Sequence, residues 1–344
     1  MTAVISHRDD VIIGRWLVIC AATIFGMILL GGVTRLTESG LSMVDWRPIM
    51  GVVPPLNKAD WVYLFEQYKL FPEYQLVNQG MSLAEFKQIF WFEYLHRVLG
   101  RVIGVMFFVP LMIFLWLGKV KSSLKPHLFA LLILGGCQGL MGWYMVKSGL
   151  VDRPDVSQYR LTAHLGLAVA IYAYIVWLTI GLFSPQRVQR KDAGSAVFWV
   201  LALVYIMILS GGFVAGTNAG LSFPTWPLMG DSFIPTALYS QGFTSAFEQV
   251  TTIHFNHRML AYFTGATLIW LALRTWLKEE DARLRKAAAL LLAAVTLQIV
   301  LGISTVLLYV ELVIAAGHQS GAVILLTATL FWVHCKRTQG DSIA

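Results

Sequence analysis

Histidine is the side chain whose number and placement here bear most directly on chemistry. The chain has eight. His7, in the N-terminal tail, and His127 and His334, at helix ends, read as solvated or interfacial residues. His96, His164, His257 and His318 instead lie near the starts of four long apolar segments. An ionisable group at membrane depth is costly and is kept where it is paired or functional. Two pairs at matched positions therefore favour ligation over packing. Imidazoles from two facing helices are a common axial arrangement for heme iron. Zinc would want three or four converging ligands, and each pair offers two. Glu93, one helical turn before His96, leaves a metal–carboxylate site open for the first pair. The apolar surroundings suit a porphyrin better. Gly100, Gly104, Gly166 and Gly321 would let a flat macrocycle approach the backbone, and would equally serve close helix packing.

Arg97 and Arg258 each directly follow a histidine. A guanidinium pairs bidentately with carboxylates, and heme carries two propionates. The plain alternative is an interfacial arginine that snorkels. The two pairs differ at one place: Glu93 precedes His96, whereas His254 precedes His257. A carboxylate in an apolar pocket can serve proton transfer or stabilise a developing cation. The difference suggests one reactive site and one electron-transfer site.

The elements that must position these residues are membrane helices. Hydrophobic residues make up 57% of the chain, charged residues only 13%, and mean hydropathy is +0.66. A water-soluble domain carries roughly a quarter charged residues. The net charge of +7 does not indicate nucleic acid, because the basic residues sit in short loops between apolar runs. Eight segments are long enough to span: 12–32, 93–117, 127–146, 161–183, 195–214, 255–276, 286–309 and 313–334. Arg8 and Arg15; Lys119, Lys121 and Lys125; Arg187, Arg190 and Lys191; the 274–286 cluster; and Lys336 with Arg337 all fall on one side. The 215–253 connection has no Lys or Arg. The positive-inside rule then puts both termini in the cytoplasm. No cleavable leader is expected. The long outer loop, 33–92, holds a capping-box pair, Ser82 and Glu85, and the aromatic stretch 61–70. Both read as short helices on the membrane surface. Cys20, Cys137 and Cys335 are scattered in apolar segments and form no disulfide framework.

The sequence also repeats itself. Residues 31–46, GGVTRLTESGLSMVDW, match 211–226, GGFVAGTNAGLSFPTW. Glu93-Tyr-Leu-His96-Arg97 matches His254-Phe-Asn-His257-Arg258. Gln138 with Gly142 matches Gln298 with Gly302, and His164 matches His318. Each unit has four spans, so the duplication is parallel, about an axis along the membrane normal. The expected fold is an all-α integral membrane protein, with eight transmembrane helices in two pseudo-two-fold-related four-helix bundles. Residues 1–184 would form the first and 185–344 the second.

GGVTRLTESGLSMVDWRP after the first span, EYLHRVLGR at the second, HLG in the fourth, HFNHR at the sixth and GHQSGA in the eighth together resemble the heme A synthase family, over nearly the whole chain. The resemblance implies an oxidoreductase of the inner membrane that oxidises a methyl group of heme O to the formyl group of heme A, for terminal oxidase assembly. It implies that His96 and His164, with Arg97, flank the substrate heme. It also implies that His257 and His318 ligate a heme b cofactor, with Arg258 at a propionate. Glu93 matches the glutamate that the family requires at the outer face. Some members carry a cysteine pair in an outer loop; this chain has none there. Implied partners are heme O, a heme O synthase, an electron acceptor or donor such as quinone, and membrane lipid, with a homo-oligomer left open. The competing class is a di-heme, cytochrome b-like electron-transfer subunit oxidising quinol. A transporter fits poorly, since its site usually lies near the midplane.

Overall fold

The structure is a computed structural model, and it describes residues 7–44, 53–148, 155–184, 187–189 and 197–340. Trp46, Arg190 and Lys191 lie outside them. Apolar stretches of this length satisfy their backbone polar groups internally in lipid only as helices or closed barrels. Among the described residues, eight helices are long and apolar enough to cross a membrane. They are α1 (His7–Leu36), α4 (Leu83–Trp116), α5 (Lys125–Lys147), α6 (Gln158–Leu182), α7 (Phe198–Gly216), α9 (Val250–Lys278), α10 (Ala282–Leu307) and α11 (Leu312–Arg337). Three shorter helices lie in the connections: α2 (Lys58–Tyr68), α3 (Pro72–Leu76) and α8 (Ser245–Glu248). The fold is all-α apart from a small antiparallel ribbon, in which β1 (Arg187–Gln189) pairs with β2 (Thr338–Gly340).

One expected boundary moves. The capping box at Ser82 and Glu85 does form, with the Glu85 carboxylate accepting from the Ser82 amide at 2.7 Å. It starts α4 itself rather than a separate surface helix. No breaker lies between Leu83 and the apolar run, so α4 continues unbroken for 34 residues. At 1.5 Å per residue that is about 50 Å, well beyond the roughly 30 Å of a hydrocarbon core. The first turns of α4 therefore have no lipid to face. They are covered instead by Trp61, Phe65 and Tyr68 of α2, which pack on Phe86, Phe90 and Tyr94, with Tyr74 of α3 against the same cluster. Trp61 meets Phe90 at 4.9 Å and Phe65 meets Phe86 at 5.1 Å between ring centroids.

α1, α6, α7 and α11 pack on one another in the middle of the molecule. Their buried side chains, among them Leu17, Ile175, Val204 and Val333, belong to one continuous core. Tyr172 on α6 meets Thr327 on α11 at 2.8 Å. α4 and α5 flank this centre on one side and α9 and α10 on the other, each in contact with it. The basic loops gather at one end. Lys121 pairs with Asp10 at 2.5 Å, Lys336 pairs with Glu279, and the ribbon ties the 187–189 segment to the C-terminal segment.

The internal repeat extends to backbone detail. Glu38 and Asn218 occupy equivalent positions and both are left-handed, with φ of 51° and 54°. Arg35 joins the two copies at the same end of the molecule, donating to Asn218 at 3.0 Å.

Candidate functional site

Each histidine pair is built from four helices in the same way. His96 projects from α4 against Gly31 of α1; a Cβ there would lie 3.1 Å from the His96 Nε2. His164 projects from α6 against Gly142 of α5, where a Cβ would lie 3.0 Å from its Cε1. One turn along α5, the Gln138 amide donates to the His164 carbonyl at 3.1 Å and stands 3.2 Å from Nδ1. The two imidazoles are within electrostatic reach of each other.

The second pair repeats this construction. His257 on α9 faces Gly211 of α7, and His318 on α11 faces Gly302 of α10, where a Cβ would lie 2.8 Å from Cε1. The Gln298 amide donates to the His318 carbonyl at 3.0 Å and stands 3.1 Å from Nδ1. His257 and His318 are likewise within electrostatic reach. In both copies the glutamine Oε1 is buried with no hydrogen-bond partner.

The copies diverge around the first histidine of each pair. Ser210 Oγ donates to the Met207 carbonyl at 2.8 Å and stands 2.8 Å from the His257 Nδ1. When the hydroxyl gives its proton to that carbonyl it accepts from Nδ1–H, and this tautomer leaves the Nε2 lone pair available to a metal. The repeat puts Leu30 at the matching position of α1, so His96 lacks this brace.

At the rim, the Glu93 carboxylate is buried and held by three donors. Ser42 Oγ and the Met43 amide each reach Oε2 at 2.7 Å, and Arg97 Nη2 reaches Oε1 at 2.5 Å. Arg97 also donates to the Met43 carbonyl at 2.8 Å. In the other copy, Arg258 donates to His254 Nε2 at 3.1 Å and to the Phe223 carbonyl at 2.8 Å. Phe223 is the repeat partner of Met43. Each arginine thus fastens the loop after the first helix of its unit onto the helix that carries the histidine. Arg258 makes a third bond, to the Leu228 carbonyl at 3.1 Å.

The glycine doublets of α1 and α7 connect the two sites. Gly31 backs His96, and its neighbour Gly32 receives Gln319, the residue after His318, whose amide donates to the Ile28 carbonyl at 2.6 Å. Gly211 backs His257, and Gly212 receives Thr162, two residues before His164.

These features fit heme better than a bare metal ion. Among the described residues, no group of three or more His, Cys, Asp or Glu side chains could hold a metal ion. Two imidazoles per unit, each seated against a bare glycine, match the two axial positions of a heme iron. The repeat of Gln138 and Gly142 in Gln298 and Gly302 is legible in the sequence, but its role is not. Ser42, Met43 and Ser210 have partners remote in sequence; their signals are the recurrence of Ser42 as Ser222 and the mismatch of Ser210 with Leu30.

Comparison with known proteins agrees with the resemblance. Residues 14–330 match the COX15–CtaA family model, described as cytochrome oxidase assembly protein. The chain is 50% identical over 338 residues to a heme A synthase of Nitrosospira multiformis, covering 95% of this chain and 94% of that protein. It is 47% identical to a heme A synthase of Paramagnetospirillum magneticum, covering 96% and 94%. It is 43% identical to the heme A synthase COX15 of Bos taurus, covering 95% and 82%. Matches of this extent, over a chain that carries both histidine pairs, make it a member of the heme A synthase family.

Proposed function

We propose that this chain is a heme A synthase that oxidises a methyl group of heme O to the formyl group of heme A. In this reading residues 1–184 hold the substrate, between His96 and His164. Residues 185–344 hold a heme b cofactor, ligated by His257 and His318. The family supports heme as the group concerned. The observation that carries the division of labour is the contrast between the sites: a buried carboxylate at Glu93 where the other copy has His254, and a braced ligand at His257 where the other copy has an unbraced His96.

Bound heme b supplies an iron centre that moves electrons one at a time. The chain's own residues do the rest. Ser210 orients His257, and Gln138 and Gln298 fix His164 and His318 through their carbonyls. Glu93, one turn from His96, presents carboxylate oxygens already fixed by Ser42, Met43 and Arg97. Preorganised negative charge stabilises positive charge that develops beside it, and this is the role assigned to Glu93 at the methyl group. Arg97 and Arg258 hold the loops in place, and in this reading they supply the positive charge that propionates would meet. With water as the source of the formyl oxygen, the oxidation releases protons and electrons, the electrons passing to an acceptor such as a quinone, and a heme O synthase supplies the substrate. The protein is multi-pass, and the basic end faces the cytoplasm of a bacterial inner membrane.

The test is the pigment content of the purified protein, with and without co-expression of a heme O-producing enzyme. Heme b should be constant, with heme O and heme A added only under co-expression. Unmodified heme b in both sites under both conditions would instead assign the chain to the di-heme electron-transfer class.

A further inference from the structure

The two copies differ in how their outer helix pairs close. In the second copy, α9 and α10 pack along much of their length; in the first, α4 and α5 touch only briefly. The residues that make the difference can be matched through the repeat. Position 265 of α9 is glycine, and a Cβ there would meet Ile299 of α10 at 3.3 Å. Ile299 thus closes the seam by lying across Gly265. The counterpart of Gly265 is Gly104, and the counterpart of Ile299 is Gly139. A Cβ at either would find nothing within 4 Å. One turn away, Gly135 replaces the buried Val295 and also faces open space. α4 and α5 are accordingly the least buried of the eight spans.

We infer that the seam between α4 and α5 is a lateral opening through which the substrate heme passes between the bilayer and the His96–His164 site, while Ile299 keeps the cofactor site sealed. This rests on assigning the first pair to the substrate. The opening leads to that site: α4 carries His96, and α5 carries Gln138 and Gly142, both against His164. The occupant that suits a slot lined by glycines and open to lipid is a flat, lipid-dissolved porphyrin, because bare backbone admits a planar ring where a side chain would not. A substrate and its product must exchange, whereas a cofactor must stay. The Ser210 brace on His257 and its absence at His96 follow the same division.

The experiment follows heme uptake rather than turnover. The full chain, purified with its cofactor, is placed in nanodiscs and mixed with vesicles containing heme O, and entry into the first site is followed by the rapid change in heme absorbance. Gly139→Ile restores the plug of the other copy. It should retain the cofactor spectrum while uptake slows on the order of tenfold or more, as expected when entry must wait for a conformational change. Gly104→Val, on the facing helix, carries the same expectation and covers the case in which Gly139→Ile fails to fold. The reciprocal Ile299→Gly should release cofactor heme to heme-free vesicles faster than wild type does. Uptake at the wild-type rate by plugged variants that keep their cofactor overturns the lateral opening alone. A wild type that takes up no heme overturns the substrate-site assignment and the opening with it.

Discussion

The hydroxyl of Ser210 stands 2.8 Å from Nδ1 of His257 and 2.8 Å from the Met207 carbonyl. A hydrogen bond of this kind sets ring orientation and tautomer, and its loss from a metal site typically costs about 10- to 100-fold in affinity. Ser210→Ala should therefore release heme from the purified protein about tenfold or more faster, with Ser210→Thr close to wild type. Heme transfer to an excess of apomyoglobin measures the rate. Equal rates for wild type and Ser210→Ala would remove Ser210 from the cofactor site.

The ligand assignment makes a sharper prediction. His257→Ala and His318→Ala should each abolish the heme b spectrum of the purified protein. His96→Ala and His164→Ala should leave that spectrum intact and lose substrate heme. An unchanged spectrum in either His257 or His318 variant would show that the iron is held elsewhere.

Glu93 serves both the proposed chemistry and the loop it fastens, and a pair of substitutions separates the two. Glu93→Gln keeps an oxygen for Ser42 and Met43 but removes the charge facing Arg97. It should lower heme A formation by about a hundredfold or more, the scale for losing one electrostatic stabiliser, with the cofactor spectrum unchanged. Glu93→Ala additionally frees the loop, and its thermal midpoint should fall. Loss of all bound heme in Glu93→Gln would make Glu93 structural instead.

The outer segment contains a pH-dependent element. Burial pushes the Glu73 carboxyl up from 4.5 to about 8; Glu93, Glu38 and Asp155 push the same way, and a hydrogen bond from Tyr68 opposes them. Because the folded value lies above the unfolded one, the contribution of Glu73 to stability is complete below pH 4.5 and is lost as pH rises toward 8. Relative to Glu73→Gln, the wild type should lose thermal stability across that window. Parallel midpoints for the two proteins at every pH would exclude Glu73 as the source.

The sequence displays some of this architecture and conceals the rest. The eight spans and the alignment of the copies are legible because lipid demands long apolar helices and because identical glycines and histidines recur at a fixed offset. The start of α4 was misplaced: hydropathy marks where lipid begins, whereas the helix began ten residues earlier at its capping box. Ser42, Met43 and Ser210 are not legible because each acts through one or two side-chain or backbone bonds to another element, which no local pattern encodes. The surroundings of Arg97 and Arg258 were hidden for the same reason. Their partners include loop carbonyls, and a carbonyl is offered by every residue type.

Gly32 and Gly212 set a condition on the history of this chain. Each accepts a side chain from the opposite copy, Gln319 in one case and Thr162 in the other, while its neighbour backs a histidine of its own copy. The two units of the duplication are thus packed against each other directly behind both histidine sites. Each histidine pocket is built within its own unit, but the wall behind it is shared, so a substitution at either doublet should disturb both sites. A chain severed between its units should regain heme only when both fragments are made together.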